Sequence, residues 1–298
     1  MKKLLNSYPG VNDFFKNKYR EINEGFERKF VYKVHGKGLY LELRRIANCM
    51  VYALDQELQF VMDETNFAYK FDKGWTDYFN VFYPIHEEGD SERVEMTFPD
   101  SRAFNAEVSW YKCEKLSFGS FEIQDRDLAK KLFVMMVFDL KNNIKTDILK
   151  FIDKIEIPEK YIAVQIRRGE KLINGEGEYH AGKLYLEPLL PIDPNTGIFV
   201  MTDDYVAVQE VTEYLKSINY SNKVITFVTE RYKGIHFKEY MEEIQDTSTS
   251  STIYTETIQL LAETIIVANS DFFVGAYDTN VAHGLRYLHL NPSQTKLI

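Results

Sequence analysis

Cysteine is almost missing from this 298-residue chain: Cys49 and Cys113 stand alone, too few for a disulfide framework and without zinc-ligand spacing. That scarcity suits a reducing compartment. Cys49 falls in a helix-like apolar pattern, the ordinary place for a small buried thiol. No run of about 18 apolar residues occurs, so no integral membrane segment is expected. The apolar stretch after Met1-Lys2-Lys3 ends at Leu5, well short of a secretory leader. A soluble, cytoplasmic protein is the expectation. Basic charge is also in short supply: 36 lysines and arginines face 45 aspartates and glutamates, for a net charge of -9. This argues against a general grip on nucleic acid or on an anionic membrane surface. A Gly-x-x-x-x-Gly-Lys-Ser/Thr loop is absent, which speaks against a P-loop NTPase or kinase. No internal repeat or low-complexity tract is present.

What the chain does have is apolar residues, 45% of the whole, enough for an ample core and for two lobes. Phe30 to Val34 is strand-like, Gly36-Lys37-Gly38 is a turn, and Leu43, Ile46, Ala47, Met50 and Leu54 recur at helical spacing before a short strand at Phe60 to Met62. That order predicts a parallel α/β unit. The stretch from Pro84 to Ser120 reads as loops and short strands. A single helix is predicted from Asp127 to Asp153, where Leu128, Leu132, Met135, Leu140, Ile144, Ile148 and Ile152 keep one apolar stripe. Pro158 ends it, so the domain boundary is placed between residues 157 and 158. In the second half, strands at Tyr161 to Arg167, Ile198 to Thr202, Val224 to Val228 and Phe272 to Gly275 alternate with helices at Tyr205 to Ile218 and Thr257 to Ala268. This predicts a doubly wound, mostly parallel sheet, with chemistry at the carboxyl ends of its strands.

Three strand ends carry groups suited to chemistry. After the first strand comes Gln165-Ile166-Arg167-Arg168-Gly169-Glu170-Lys171. Guanidinium forks pair bidentately with phosphate oxygens and stay charged at every relevant pH, although salt bridges to nearby acids are an equal alternative. The second strand ends in Thr202-Asp203-Asp204, where a carboxylate suits the N1 and N2 edge of guanine, the cap of the following helix, or magnesium. The one Asp-x-Asp triplet, Asp125-Arg126-Asp127, is explained by helix capping, so a metal-free site is favoured. The last strand ends in Gly275-Ala276-Tyr277-Asp278-Thr279-Asn280. There, helix-start amides with the Thr279 hydroxyl suit a phosphate oxygen, and capping by Asp278 or Thr279 is the rival.

Together these segments resemble the motifs of the α1,6-fucosyltransferase group, which includes the bacterial nodulation fucosyltransferase and is related to protein O-fucosyltransferases. The family's His-x-Arg-Arg-x-Asp-Lys corresponds to Gln165 through Lys171, its Thr-Asp-Asp to Thr202 through Asp204, and its Ser-Ser-Gln to Asp278 through Asn280. Its Glu-Ala-Ala-Phe-His is similar to Glu176 through His180, displaced by one inserted residue. Gly38 with its helix, Asn66 through Tyr69, and Gly74-Trp75 followed by Phe79 extend the likeness into the first half. The departures are Gln165 for histidine, Glu170 for aspartate, and Thr279 and Asn280 for serine and glutamine.

The resemblance implies two Rossmann-like lobes facing a cleft (GT-B-like), residues 1–157 on the acceptor side and 158–298 binding a GDP-sugar. It implies an inverting, metal-independent transfer of fucose from GDP-fucose to a glycan hydroxyl, with no cofactor beyond the donor. Another GDP-hexose such as GDP-rhamnose or GDP-mannose, or a nucleotide- or glycan-binding protein without turnover, are the alternatives. Arg167 is expected to stabilise charge on the β-phosphate, with Arg168 sharing that task or holding the loop. Glu176 is expected as the base and Lys171 as its partner or a phosphate ligand. Gln165, Glu170, Asp203 (on guanine), Thr279 and Asn280 complete the donor side. Trp75, Tyr78, Phe79 and Trp110 for acceptor stacking, and His180 in the site, are weighed against plain core or surface roles.

Overall fold

The computed structural model describes residues 13–86, 94–97, 116–118, 121–168, 178–221, 223–229 and 250–298. The described residues up to Ile144 form one compact unit and Lys145–Ile298 the other. In the first unit, helix α1 (Asp13–Glu24) leads into β1 (Lys29–Lys33), α2 (Leu39–Asp55) and β2 (Gln59–Asp63). β1 lies between β2 and β3 (Val94–Thr97), parallel to both, so the expected strand, glycine turn, helix, strand unit is present. α2 starts after Gly38 without a side-chain cap. Instead Glu42, in its first turn, accepts the amides of His35 at 3.3 Å and Lys37 at 3.2 Å and the hydroxyl of Tyr32 at 2.6 Å. Those bonds make a fully buried carboxylate tolerable. Cys49, on the same helix, is buried as expected, and burial pushes its thiol well above the usual range.

The single helix predicted from Asp127 to Asp153 is two. After the hairpin of β4 (Leu116–Phe118) and β5 (Phe121–Ile123), α3 covers Arg126–Val137 and α4 covers Asn142–Ile152. Asp125 caps α3 by accepting the amides of Asp127 and Leu128. Between the helices the backbone bonds elsewhere: Asn80 N donates to Asp139 O at 2.7 Å, Lys141 N donates to Tyr78 O at 3.0 Å, and Leu140 bridges Phe79. Residues some sixty positions earlier thus take the hydrogen bonds a continuous helix needs. Leu140, Ile144, Ile148 and Ile152 of the expected stripe are buried, but on α3 the buried face is Ala129, Phe133, Val134, Met136 and Val137, and Leu128, expected on it, is 56% exposed. The division between the units falls inside α4, whereas the sequence pattern placed it after residue 157.

Trp75, Tyr78 and Phe79 are core residues, which corrects the expectation that they stack on an acceptor. All three are fully buried. Trp75 stacks on Phe79 with ring centroids 4.2 Å apart and makes a T-shaped contact with Phe67 at 5.2 Å, so its indole is packed within the core. The turn before it is built on Asp77, whose carboxylate accepts the amides of Phe71, Asp72, Lys73 and Gly74 at 2.8 to 3.1 Å.

In the second unit the apolar runs become one parallel sheet. β6 (Tyr161–Ile166), the short helix α5 (Gly182–Leu186), β7 (Gly197–Thr202), α6 (Tyr205–Ser217) and β8 (Val224–Ile225) follow one another. Then come α7 (Ser250–Ala268), β9 (Phe272–Gly275), α8 (Asn280–Leu288) and β10 (Thr295–Leu297). The strand order is β10-β9-β6-β7-β8, all parallel, and every residue of β6 and β7 is buried, as a sheet covered on both faces requires. β10 has no counterpart among the expected strands, and β8 is shorter than expected. Gly275 lets β9 and α8 meet: a Cβ there would come within 2.6 Å of the Ala282 Cβ.

Candidate functional site

The chain leaves β6 to build β7 and β8 on one side and returns to build β9 and β10 on the other. The strand order therefore reverses between β6 and β9, and the carboxyl ends of these strands open the crevice in which ligands of such sheets bind. Gln165 pairs in register with Gly275, and Ile166 with Thr202, so the three segments singled out in the sequence end side by side.

Arg167 and Arg168 leave β6 in succession, and successive side chains of an extended chain point to opposite sides. They have different fates. Arg167 keeps 26% of its side chain exposed and pairs with Asp203, Nη1 to Oδ2 at 3.2 Å. Among the described residues Asp203 is its partner, through one of the five guanidinium N–H groups. Arg168 is 4% exposed and forms a fork with Glu210 on α6, Nη1 to Oε1 at 2.9 Å and Nη2 to Oε2 at 2.5 Å. Its Nη2 also donates to the His180 carbonyl at 3.0 Å, and the Tyr179 ring covers its guanidinium at 4.4 Å. The Arg168 guanidinium is thus engaged by Glu210 and the His180 carbonyl and turned away from solvent.

Glu210 was not singled out in the sequence, where it reads as a surface glutamate of an amphipathic helix. Its carboxylate also accepts the Gly182 amide at 2.8 Å and a short hydrogen bond from the Tyr179 hydroxyl. Burial alone would raise its pKa, but the bonds from Arg168, Tyr179 and Gly182 hold it below the ordinary value. Gly182 suits this approach: a Cβ would lie 3.1 Å from Val211 and 3.2 Å from the Cβ of Glu210, tighter than ordinary contact.

Asp203, expected on guanine, is drawn toward the arginines. Its Oδ1 accepts the Arg168 amide at 2.8 Å while its Oδ2 faces Arg167. Asp204 caps α6 through Val206 N at 3.0 Å. At the third strand end, Thr279 caps α8: its Oγ1 accepts from Ala282 N at 3.1 Å and lies 3.1 Å from the Ala276 carbonyl and 3.2 Å from Gln165 Oε1. One hydroxyl proton cannot serve both oxygens. Turning the Gln165 amide end over lets its Nε2 donate to Thr279 while Thr279 donates to Ala276. Gln165 and Thr279 are both 2% exposed, so this pair ties β6 to the start of α8. Asn280 opens α8 and is half-buried, Asp278 is exposed, and Tyr277 is 67% exposed with its ring edge-on to His283 at 5.3 Å.

His180 is half-buried, 6.4 Å from Tyr185 by ring centroid, and contributes its backbone carbonyl to Arg168. Glu170, Lys171, Glu176 and Trp110 lie outside the described residues. Another acid missed in the sequence is Glu263 on α7. It is 6% exposed, its Oε1 has no hydrogen-bond partner among the described residues, and burial pushes its carboxyl up to about 8 despite a hydrogen bond from Gln259. A lone glutamate in the otherwise apolar run Leu260 to Ala268 was its signal. Among the described residues no group of three or more His, Cys, Asp or Glu is placed to hold a metal ion, and no helix is long and apolar enough to cross a membrane.

No protein-family model matches the sequence, and no curated protein matches it. Solved structures do resemble it in fold. The fucosyltransferase NodZ from Bradyrhizobium matches with a TM-score of 0.56 at 12% identity, over 87% of this chain and 93% of that one. NodZ α-1,6-fucosyltransferase soaked with GDP-fucose matches with a TM-score of 0.52 at 11% identity, over 88% and 93%. A mutant of Arabidopsis thaliana FUT1 in complex with GDP matches with a TM-score of 0.54 at 12% identity, over 97% of this chain and 76% of that one. The α/β class with parallel sheets, expected from the sequence, is thus the fold of the group its motifs resemble.

Proposed function

We propose that this protein is a glycosyltransferase that moves a sugar, fucose first among the candidates, from a GDP-sugar to a glycan hydroxyl by inverting displacement without a metal. The observation that carries this reading is Arg167: a partly exposed guanidinium held by Asp203 at the carboxyl end of β6, the strand at which the order reverses. A nucleoside diphosphate leaving group gains negative charge as the glycosidic bond breaks. A preorganised cation at that point is worth several kcal/mol in such reactions, about 3 to 4 for one well-placed donor. The backbone amides at the start of α8 supply a second source of positive potential. Solved fucosyltransferases of the same fold, two of them with GDP-fucose or GDP, support the choice of donor.

In this reading Arg167 takes the β-phosphate. Asp203 orients Arg167, a role its geometry favours over contact with guanine. Gln165 and Thr279 fix the floor of the crevice, Asn280 lines its rim, and Glu176, with Lys171 and Glu170 in the same segment, supplies the base that removes the acceptor proton. Purified protein assayed with GDP-, UDP- and CMP-sugars, with and without EDTA, tests the proposal through nucleotide release. EDTA-insensitive release of GDP from GDP-fucose is the expected result. Release from a different GDP-sugar keeps the site and changes the sugar; failure to bind GDP overturns the donor site.

A further inference from the structure

We infer that Glu210 is a positioning residue for the proposed transfer: one carboxylate on α6 that pins both ends of the chain segment between Arg168 and Tyr179 and so fixes where Arg167 stands. The inference rests on the role proposed for Arg167, but its geometry is independent of any ligand. On one side Glu210 holds the Arg168 guanidinium through two bonds of 2.9 and 2.5 Å. On the other it takes the Tyr179 hydroxyl and the Gly182 amide. Arg168 in turn reaches the His180 carbonyl, so the two ends are also tied to each other.

The link to Arg167 runs through the backbone. The amide of Arg168 donates to Asp203 Oδ1 at 2.8 Å, and Asp203 Oδ2 is the partner of Arg167 at 3.2 Å. A peptide unit whose side chain is anchored on α6 and whose N–H is anchored on Asp203 leaves its neighbour little freedom. If the Arg168 side chain were released, the Asp203 bond would hold that peptide alone, and Arg167 would sample positions away from the crevice. Displacement of a positioned group by about 1 Å lowers turnover by about 100-fold in comparable cases, without a matching loss of ground-state binding. Neutralising Glu210 also leaves the Arg168 guanidinium, on a residue 4% exposed, with Asp204 at 3.9 Å as its remaining ion-pair partner among the described residues.

The test compares Glu210→Gln, Arg168→Lys and the double variant with the wild type, each checked for fold by circular dichroism. Glu210→Asp serves as the second probe should Glu210→Gln not fold. Three results are expected: kcat at saturating donor falls by about 100-fold in each single variant, GDP affinity stays within about threefold, and the double variant is no worse than either single, because the pair acts as a unit. An unchanged kcat per folded molecule, or losses that multiply in the double variant, overturns the inference. Hydrogen exchange separates this from the function itself. In Glu210→Gln the Arg168 amide, which bonds Asp203 and not Glu210, is expected to exchange on the order of tenfold faster. If the wild type turns over no donor, the proposed function fails, and this exchange rate alone decides on the clamp: acceleration confined to Gly182 overturns it.

Discussion

Replacing Glu263 by Gln should stabilise the protein at neutral and alkaline pH and leave it nearly unchanged in acid. The Glu263 carboxyl is buried on α7 and is pushed from 4.5 up to about 8. Each tenfold change in its proton affinity is worth about 1.4 kcal/mol, so the charged form is penalised by about 5 kcal/mol relative to the unfolded chain. Below pH 4.5 the group is protonated whether or not the chain is folded, and burial of the neutral acid carries no electrostatic penalty. From there to about pH 8 folding must take up a proton, and stability falls by about 1.4 kcal/mol per pH unit. By pH 7 the wild type has lost about 3 kcal/mol, and above pH 8 the loss is complete. Gln has the shape of the protonated acid, keeps a partner for Gln259, and has no proton to gain. Urea unfolding of both proteins across pH 4 to 9 measures the difference directly. Stability curves that run parallel across that range, or a wild type that gains on Glu263→Gln as pH rises, would refute the reasoning.

Other outcomes follow from the same structure. Arg167→Ala should abolish turnover while the melting temperature changes by only a few degrees, because Arg167 is partly exposed and its one described pair, with Asp203, is not part of the core; near-normal turnover would remove Arg167 from the mechanism. Gly275→Ala should destabilise by about 1 to 3 kcal/mol in denaturant titration, since the new methyl meets the Ala282 Cβ at 2.6 Å. Asp77→Asn should cost about 2 kcal/mol, because an amide oxygen accepts four backbone N–H groups less well than a carboxylate. Burial opposes the charge of Asp77, but those bonds outweigh it and hold the carboxyl below 3.8. The contribution is therefore present above that pH and is lost as acid titrates the folded group, a loss absent from the variant.

Much of the second unit was legible because β6, β7 and β9 are short, mostly apolar and closed by polar punctuation. Phe272 to Gly275 was read with the bounds it has, and Asp204 marks the start of α6 as a capping residue should. The long helix was misread because Leu128, Leu132 and Met135 fall in phase with Leu140, Ile144, Ile148 and Ile152, yet only the latter four are buried; α3 buries Phe133, Val134, Met136 and Val137 and leaves Leu128 56% exposed. What breaks the helix is a set of bonds from Tyr78, Phe79 and Asn80, and distant partners leave no mark in a local pattern. The family resemblance puts Arg167 on the phosphate and leaves two roles open for Arg168. Only the alternation of an extended chain, together with an acid one turn and a half into the next helix, sends one to the crevice and the other into the wall. The aromatic segment around Trp75 left two roles open, and burial selects the core one: rings suited to stacking on a sugar are equally suited to stacking on each other.

The position of β6 at the centre of its sheet also bears on how the protein is made. Its amide at Tyr161 bonds Asp271, a residue 110 positions later. During synthesis β6 gains β7 and β8 early, yet its other edge stays open until α7 and β9 emerge. A nascent chain halted before that point exposes an apolar strand with one free side, a surface for chaperones to cover. It also lacks Thr279 and the start of α8, so the crevice is completed only late in translation. A ligand of the crevice would then bind the finished sheet and not its precursors, and so would favour the folded form over every incomplete one.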